Sequence, residues 1–140
     1  MDFVLINEDE GQQFHTVDMP WLGSHALVLK ERAVEALKSI LLAHGEVLPL
    51  ICCPELWLFN ATCVIDALDH DESDIVRFRN GRIMDVRRYV FKPSCISKLQ
   101  AFKISDFRVS PIFVSQEFVN QCAIARLSGV EFELIWESGE

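Results

Sequence analysis

Residues 75–92, IVRFRNGRIMDVRRYVFK, limit what this chain can fold into more than any other stretch. Asn80-Gly81 stands between two runs rich in β-branched and aromatic residues. Both central positions of a two-residue type I′ turn need positive φ, so this pair predicts a hairpin of that type. The turn places Arg79 opposite Arg82, Phe78 opposite Ile83 and Arg77 opposite Met84. Val76, Phe78 and Ile83 then share the inward face, and Arg77, Arg79 and Arg82 the outward one. Beyond Met84 the parity inverts, with Asp85 and Arg87 inward before Tyr89 and Phe91. A bulge between Asp85 and Arg88 reconciles the two halves. Six of the thirteen Lys and Arg residues lie between Arg77 and Lys92. Like charges placed opposite each other destabilise a ladder, so acids must lie close by or a partner must supply them.

The adjacent stretch DALDHDESD, residues 66–74, is the internal candidate. Its carboxylates are Asp66, Asp69, Asp71, Glu72 and Asp74. Three uses suit such a cluster: capping a local helical turn with the remainder solvated, a protein-binding patch, or a site for a divalent cation, which wants several oxygen ligands. The spacing lacks the glycine and the terminal glutamate of an EF-hand, and no H-E-x-x-H pattern accompanies it. The formal net charge of −8 argues against nonspecific binding to nucleic acid or to an anionic membrane. It favours a cationic partner, or serves solubility alone.

Five cysteines, Cys52, Cys53, Cys63, Cys95 and Cys122, include an adjacent pair and no C-x-x-C. Neither a disulfide framework nor a zinc site follows from that pattern. Apart from Cys95 they sit among apolar neighbours as small core residues, which points to free thiols and a cytoplasmic location. Nothing marks out His15, His25, His44 or His70 as the partner of a catalytic cysteine. No apolar run reaches the ~20 residues of a membrane helix, and the opening MDFVLINEDEG lacks the basic start of a signal peptide.

The remaining stretches supply the frame. Phe3 to Ile6 reads as a short strand, and DMPWLGS as an irregular loop with Trp21 as a lid on the core. ERAVEALKSILLAH, residues 31–44, repeats Ala33, Val34, Leu37, Ile40 and Leu41 at helical spacing. Glu31 suits its N-terminal end, His44 its carbonyl end, and Gly45 a left-handed stop. VLPLICC (47–53) is a short continuous apolar run, expected as a strand buried on both faces, and LWLFN (56–60) as its antiparallel neighbour across Pro54-Glu55. TCVID (62–66) continues extended. After Pro93 come a single turn in SCISKLQ, a strand in AFKIS, and a strand in PIFVS with Pro111 at its first position. Ser115 is placed to cap a helix from Gln116 to Arg126, its core face formed by Phe118, Val119, Cys122 and Ala123, with Gly129 as its stop. VEFELIW (130–136) alternates, with Val130, Phe132, Leu134 and Trp136 inward and Glu131 and Glu133 outward. The order of elements does not alternate strand and helix. The fold class expected is therefore α+β, a mainly antiparallel sheet with a central hairpin and two main helices packed on it, in a single domain 1–140.

Taken together and in order, several stretches carry a resemblance. They are ALVLKERAVEALKSIL, GEVLPLICC, LWLFNATCVIDALDHDESD, FRNGRIMDVRRYVFK, FKIS, PIFVSQEFV and LSGVEFELIW. From about Leu27 to Trp136 the chain resembles the bacterial immunity-protein family numbered eleven. Its most specific pieces are Leu58–Asn60 with Val64–Asp69, then Gly81–Met84, Tyr89–Phe91, FVSQEFV and the closing GVEFELIW. Residues 1–26 depart from the longer, more regular opening of that family. The resemblance implies a non-enzymatic protein without cofactors, which binds and neutralises a cognate polymorphic toxin in the cytoplasm. A basic nuclease is one candidate toxin, and neither direct nucleic-acid binding nor a membrane is implied. The partner-binding residues expected are Asp66, Asp69, Asp71, Glu72, Asp74, Arg77, Arg79 and Arg82. The alternative from the residues alone is a metal-dependent hydrolase, its ion held by the carboxylates at 66–74 and its transition state assisted by Arg77 or Arg79.

Overall fold

A computed structural model describes residues 2–8, 17–20, 23, 25–51, 55–107 and 109–137. Ten strands and three helices follow in the order β1 (Asp2–Glu8), β2 (Leu27–Lys30), α1 (Glu31–His44), β3 (Gly45–Pro49), β4 (Leu56–Ala61), β5 (Val64–Ile65), β6 (Asp74–Arg77), β7 (Ile83–Arg88), α2 (Pro93–Ile96), β8 (Ala101–Ile104), β9 (Phe113–Ser115), α3 (Gln116–Ile124) and β10 (Val130–Glu137). The strands form a five-stranded sheet in the order β10-β1-β9-β8-β5, a three-stranded sheet β2-β4-β3 and the two-stranded arm β6-β7. All pairings are antiparallel except β5 with β8. The α+β, mainly antiparallel reading is borne out. Trp21, His15 and the Cys52–Pro54 stretch lie outside the described residues.

The middle of the five-stranded sheet is covered on both faces, and the sequence of β9 shows why. In Ile112-Phe113-Val114, successive side chains point to opposite sides, and all three are apolar and fully buried. Ile112 and Val114 join one cluster with Leu37 and Leu41 of α1 and Phe118 and Cys122 of α3. Phe113 joins the other with Phe91, Phe102, Ile104, Val86 and Leu68. Helices α1 and α3 therefore lie on one side of the sheet, and the β6-β7 arm with its following segment, including Ile96 of α2, on the other.

VLPLICC does not take the doubly buried role. Leu48 is 41% exposed and Ile51 99% exposed, because among the described residues β3 pairs only with β4 and forms an edge. Pro49 fits that placement, since a residue without an N–H is tolerated at an edge and not inside a ladder.

α1 has the expected bounds, and Ala33, Leu37, Ile40 and Leu41 are its buried apolar face. Its ending differs from expectation. Gly45 is extended, with φ 174° and ψ −153°, and opens β3 directly. His44 does meet the carbonyl end, its Nδ1 2.8 Å from the Ile40 carbonyl, and it is buried there, with its Nε2 accepting from the Gln100 N–H at 3.1 Å. At α3 the Ser115 Oγ accepts from the Phe118 N–H at 3.3 Å, as expected of the cap. The helix stops earlier, however, and Ala123 is exposed. Arg126, at φ 55°, takes the left-handed position, with Arg126 N–H donating to the Ala123 carbonyl and Leu127 N–H to the Cys122 carbonyl. This is the Schellman arrangement with arginine where glycine is usual. In β10 a register shift leaves Leu134 52% exposed, against the alternation expected, while Ile135 and Trp136 pack inward.

One polar clamp ties the two helices to the loop before β2. The Arg32 guanidinium donates to Asp18 at 2.9 and 3.1 Å and to the carbonyls of Ala125 and Arg126, the open end of α3. Asp18 also accepts from the N–H and hydroxyl of Ser128. The Arg32 bond, foremost among these, holds the Asp18 carboxyl below its ordinary value of 3.8. A depressed folded pKa adds stability that is complete above the unfolded value and is lost as pH falls through the folded one. Acid titration of stability is therefore expected to show a smaller loss below pH ~4 in Asp18→Asn than in the wild type. Equal losses would remove the clamp from the acid response.

The arm corrects the turn type. Phe78 N–H donates to the Arg82 carbonyl at 2.8 Å, and Gly81 N–H to the Phe78 carbonyl at 3.0 Å. Gly81 alone has positive φ, at 87°, and Asn80 does not. This is a three-residue loop, Arg79-Asn80-Gly81, in which a β-turn is followed by a left-handed glycine. Asn80 contributes its Oδ1, which accepts the Arg82 N–H at 3.0 Å. The extra loop residue shifts the register, so Arg77 faces Ile83. Two irregularities follow, one passing Arg87, inside the expected window, and one passing Met84, outside it. Phe78 is consequently 51% exposed rather than inward. A Cβ at Gly81 would meet nothing within 4 Å, so the glycine is needed for its backbone alone. Gly81→Val is expected to cost on the order of 1–3 kcal/mol in urea unfolding, with an unchanged slope. A midpoint equal to wild type would show that the loop relaxes to another form.

Cys63, Cys95 and Cys122 are free thiols. Among the described residues no helix is long and apolar enough to cross a membrane.

Candidate functional site

Leu68 and Ala67 are fully buried and anchor the acidic turn that follows them. Asp69 N–H donates to the Val90 carbonyl at 2.8 Å, and Lys92 N–H to the Ala67 carbonyl at 2.8 Å. Ser73 Oγ donates to the Val90 carbonyl and accepts the Val90 N–H. The turn is thus laced to the strand segment that carries Phe91 into the core. Within it, Asp69 Oδ1 accepts the N–H groups of Asp71 and Glu72 at 3.0 and 3.1 Å, and Ser73 N–H donates to the Asp69 carbonyl. Asp69 caps a single helical turn, because an aspartate can satisfy amides that a short turn leaves open.

Asp66, Asp71, Glu72 and Asp74 are exposed, as are Arg77, Arg79 and Arg82. Among the described residues the two groups form no ion pair with each other. Arg88 reaches the Glu72 backbone carbonyl at 2.6 Å, not its carboxylate, and Asp66 lies 3.6 Å from Lys92. Arg77 donates to the Gly81 carbonyl at 3.0 Å and to His70 Nδ1 at 2.9 Å. The second contact fixes the ring, since a guanidinium has no acceptor and Nδ1 must accept. His70 Nε2–H is left to donate to Asp106 Oδ2, at 2.5 Å.

This His70–Asp106 pair is the wall between two clefts of opposite character. On one side Asp66, Asp69, Asp71, Lys92 and Ser105 line a cleft of about 660 Å³. On the other, Arg77, Gly81, Arg82, Ile83 and Phe107 line one of about 350 Å³. Of the expected residues, Asp66, Asp69 and Asp71 meet at the first cleft and Arg77 and Arg82 at the second. Glu72, Asp74 and Arg79 line neither. His70 and Asp106 were not among the expected residues. Asp106 lies 36 positions from His70, in a segment whose sequence carries no motif.

The carboxylates at 66–74 do not converge on one point. Among the described residues no three His, Cys, Asp or Glu side chains are disposed to hold a metal ion. A further cleft of about 630 Å³, between α1, α3 and the segment before β8, does bring Cys63 and His44 to one surface. Both His44 nitrogens are already engaged by backbone groups. Burial also pushes the Cys63 thiol up, away from the thiolate a nucleophile requires.

No curated protein matches the chain. The immunity protein family (Imm11) matches residues 52–136, a segment that runs from the approach to β4 almost to the end of β10 and contains the acidic turn, the arm and both halves of the His70–Asp106 wall. With more than half its length matched in this way, the chain belongs to the immunity protein family (Imm11).

Proposed function

We propose that this chain binds a cognate toxin directly and neutralises it, without being an enzyme, and that it does so in the cytoplasm. Family membership supports the reading. The observation that carries it is a set of exposed side chains of both charge signs between residues 66 and 82, on a segment packed through Leu68 and Ile75 onto the Phe91 and Phe113 cluster inside the matched segment. Charges carried on a packed frame suit recognition of a protein surface, because complementary potentials raise the encounter rate and set the docking register. The acidic half and the net charge of −8 favour a toxin with a basic face, such as a nuclease whose own substrate is anionic.

Co-expression with the toxin encoded beside the gene tests the proposal. Cell survival and co-purification support it, and toxicity undiminished by a well-folded partner overturns it. The charges have a kinetic signature of their own. Asp71→Asn, Glu72→Gln and Asp74→Asn together are expected to slow association about tenfold at low salt, and less at high salt. Asp69 is left intact, because its carboxylate holds the turn. An unchanged association rate would move the contact away from this face. Saturable binding of Mg²⁺, Ca²⁺ or Mn²⁺ in calorimetry would instead revive the hydrolase reading.

A further inference from the structure

Asp106 has a side chain only 8% exposed, and its two oxygens are unequally served. Oδ2 accepts from His70, while Oδ1 is buried with no hydrogen-bond partner among the described residues. A buried acceptor left unmatched carries the cost of its lost hydration with no bond to offset it. The cleft that Asp106 lines offers further acceptors around it. Asp69 uses one oxygen for the turn amides and keeps the other, and Asp71 is exposed at the rim. Lys92, the one lysine or arginine among the described residues that line that cleft, is drawn off toward Asp66. His70 contributes no donor to the cleft, since its Nε2–H is spent on Asp106 and its Nδ1 on Arg77.

We propose that this cleft is a socket for a guanidinium group, filled by an arginine of the toxin; the choice of partner rests on the toxin-binding reading above. A guanidinium spreads five N–H donors over a plane, so one group can serve carboxylates at separated points, Asp106 Oδ1 below and Asp69 and Asp71 at the rim. An ammonium presents a compact point charge and serves them less well. The Arg77 bond to His70 has a part in this. It fixes the ring so that His70 spends its one N–H on Oδ2 and offers none to Oδ1.

The test has two arms. In the first, N-acetyl-arginine amide is titrated into the free protein and followed by NMR. Saturable shifts confined to residues 66–71 and 105–106 are expected, weaker with N-acetyl-lysine amide and absent with the neutral isostere N-acetyl-citrulline amide. Asp106→Asn should abolish them: its carbonyl still accepts from His70, while its NH₂ places a donor where an acceptor is needed. Asp71→Asn, at the exposed rim, should weaken them without touching the fold. Equal shifts with citrulline, or shifts that survive Asp106→Asn, overturn the socket and leave Oδ1 to solvent. In the second arm the co-expressed toxin is scanned by arginine-to-alanine changes. One arginine should cost about tenfold or more in affinity, and nothing further when combined with Asp106→Asn. A toxin neutralised equally well by Asp106→Asn sinks the socket and spares the immunity reading. Arginine amide binding in a protein that protects against no toxin sinks that reading and spares the guanidinium site.

Discussion

Phe113→Ala is expected to remove about 3–5 kcal/mol of folding stability, the range for truncating a buried aromatic side chain. A domain of this size holds on the order of 5–15 kcal/mol, so the variant will sit close to its unfolding threshold at ambient temperature. The size of the effect follows from position. Phe113 is fully buried in β9, which is paired to β1 on one side and β8 on the other. Its ring stacks on Phe102 at 5.5 Å and meets Tyr89 and Phe91 edge-on at 5.1 and 5.3 Å. Sheet strands on both sides limit how far the site can collapse onto the cavity, which raises the cost of an emptied volume. A second signal is available because Tyr89 is the chain's single tyrosine. Burial, with a smaller contribution from Asp85, pushes its hydroxyl up to about 12. Opening the cluster should bring that titration down toward 10, read from tyrosinate absorbance. A raised folded pKa on a group that ionises to an anion gives stability present below the unfolded value and lost as pH climbs through the folded one. Wild-type protein should therefore weaken between about pH 10 and 12, and the variant less so. A loss under ~1 kcal/mol with Tyr89 still titrating near 12 would show that the cluster repacks without Phe113.

Periodicity made the long elements legible. The α1 stripe Ala33, Leu37, Ile40 and Leu41 and the Ser115 cap of α3 both lie where the sequence puts them, because both are local signals. Signals that depend on what lies across a sheet were not legible. VLPLICC and PIFV are equally apolar runs, and an apolar run states only that burial is available. The difference was set by neighbours, β9 between two strands and β3 at an edge, with Pro49 the only local mark of the latter. The arm failed for a related reason. Asn-Gly favours a type I′ turn, yet it also permits a β-turn with a left-handed glycine after it. Packing of Ile75, Ile83 and Val86 onto the second cluster accompanies the longer loop.

The site divides along the same line. A run of five carboxylates is visible in any reading, and so is a row of arginines. What organises them is His70 held between Arg77 and Asp106, and that contact joins segments 36 residues apart. Asp106 sits between AFKI and PIFV, where it looks like one more loop aspartate. Only the fold turns its side chain inward and leaves one oxygen without a donor among the described residues.

Glycines offer the sharpest separation of contact from backbone strain, and Gly129→Ala is expected to be the costliest of three such changes. Gly129 has φ 113°, and a Cβ there would lie 2.2 Å from the Met19 carbonyl oxygen and 3.1 Å from Val17 Cβ. Both penalties apply at once, strain in a conformation L-residues avoid and collision with a backbone that cannot swing aside, on the order of 2–6 kcal/mol together. Met19 N–H donates to the Ser128 carbonyl, and Ser128 bonds Asp18, so a displaced Met19 also loosens the Asp18–Arg32 clamp. Gly45→Ala isolates the collision: its φ of 174° suits any residue, yet its Cβ would fall 2.2 Å from the Asn60 carbonyl oxygen. Gly81→Ala isolates the strain, since the space around it is open. Urea midpoints should fall most for Gly129, with Gly45 and Gly81 each losing less. The acid-dependent part of stability assigned to Asp18 should shrink in the Gly129 variant alone. If Gly81→Ala proves the costliest, or Gly129→Ala is within ~0.5 kcal/mol of wild type, the segment around Met19 is free to move and the clamp does not hold it.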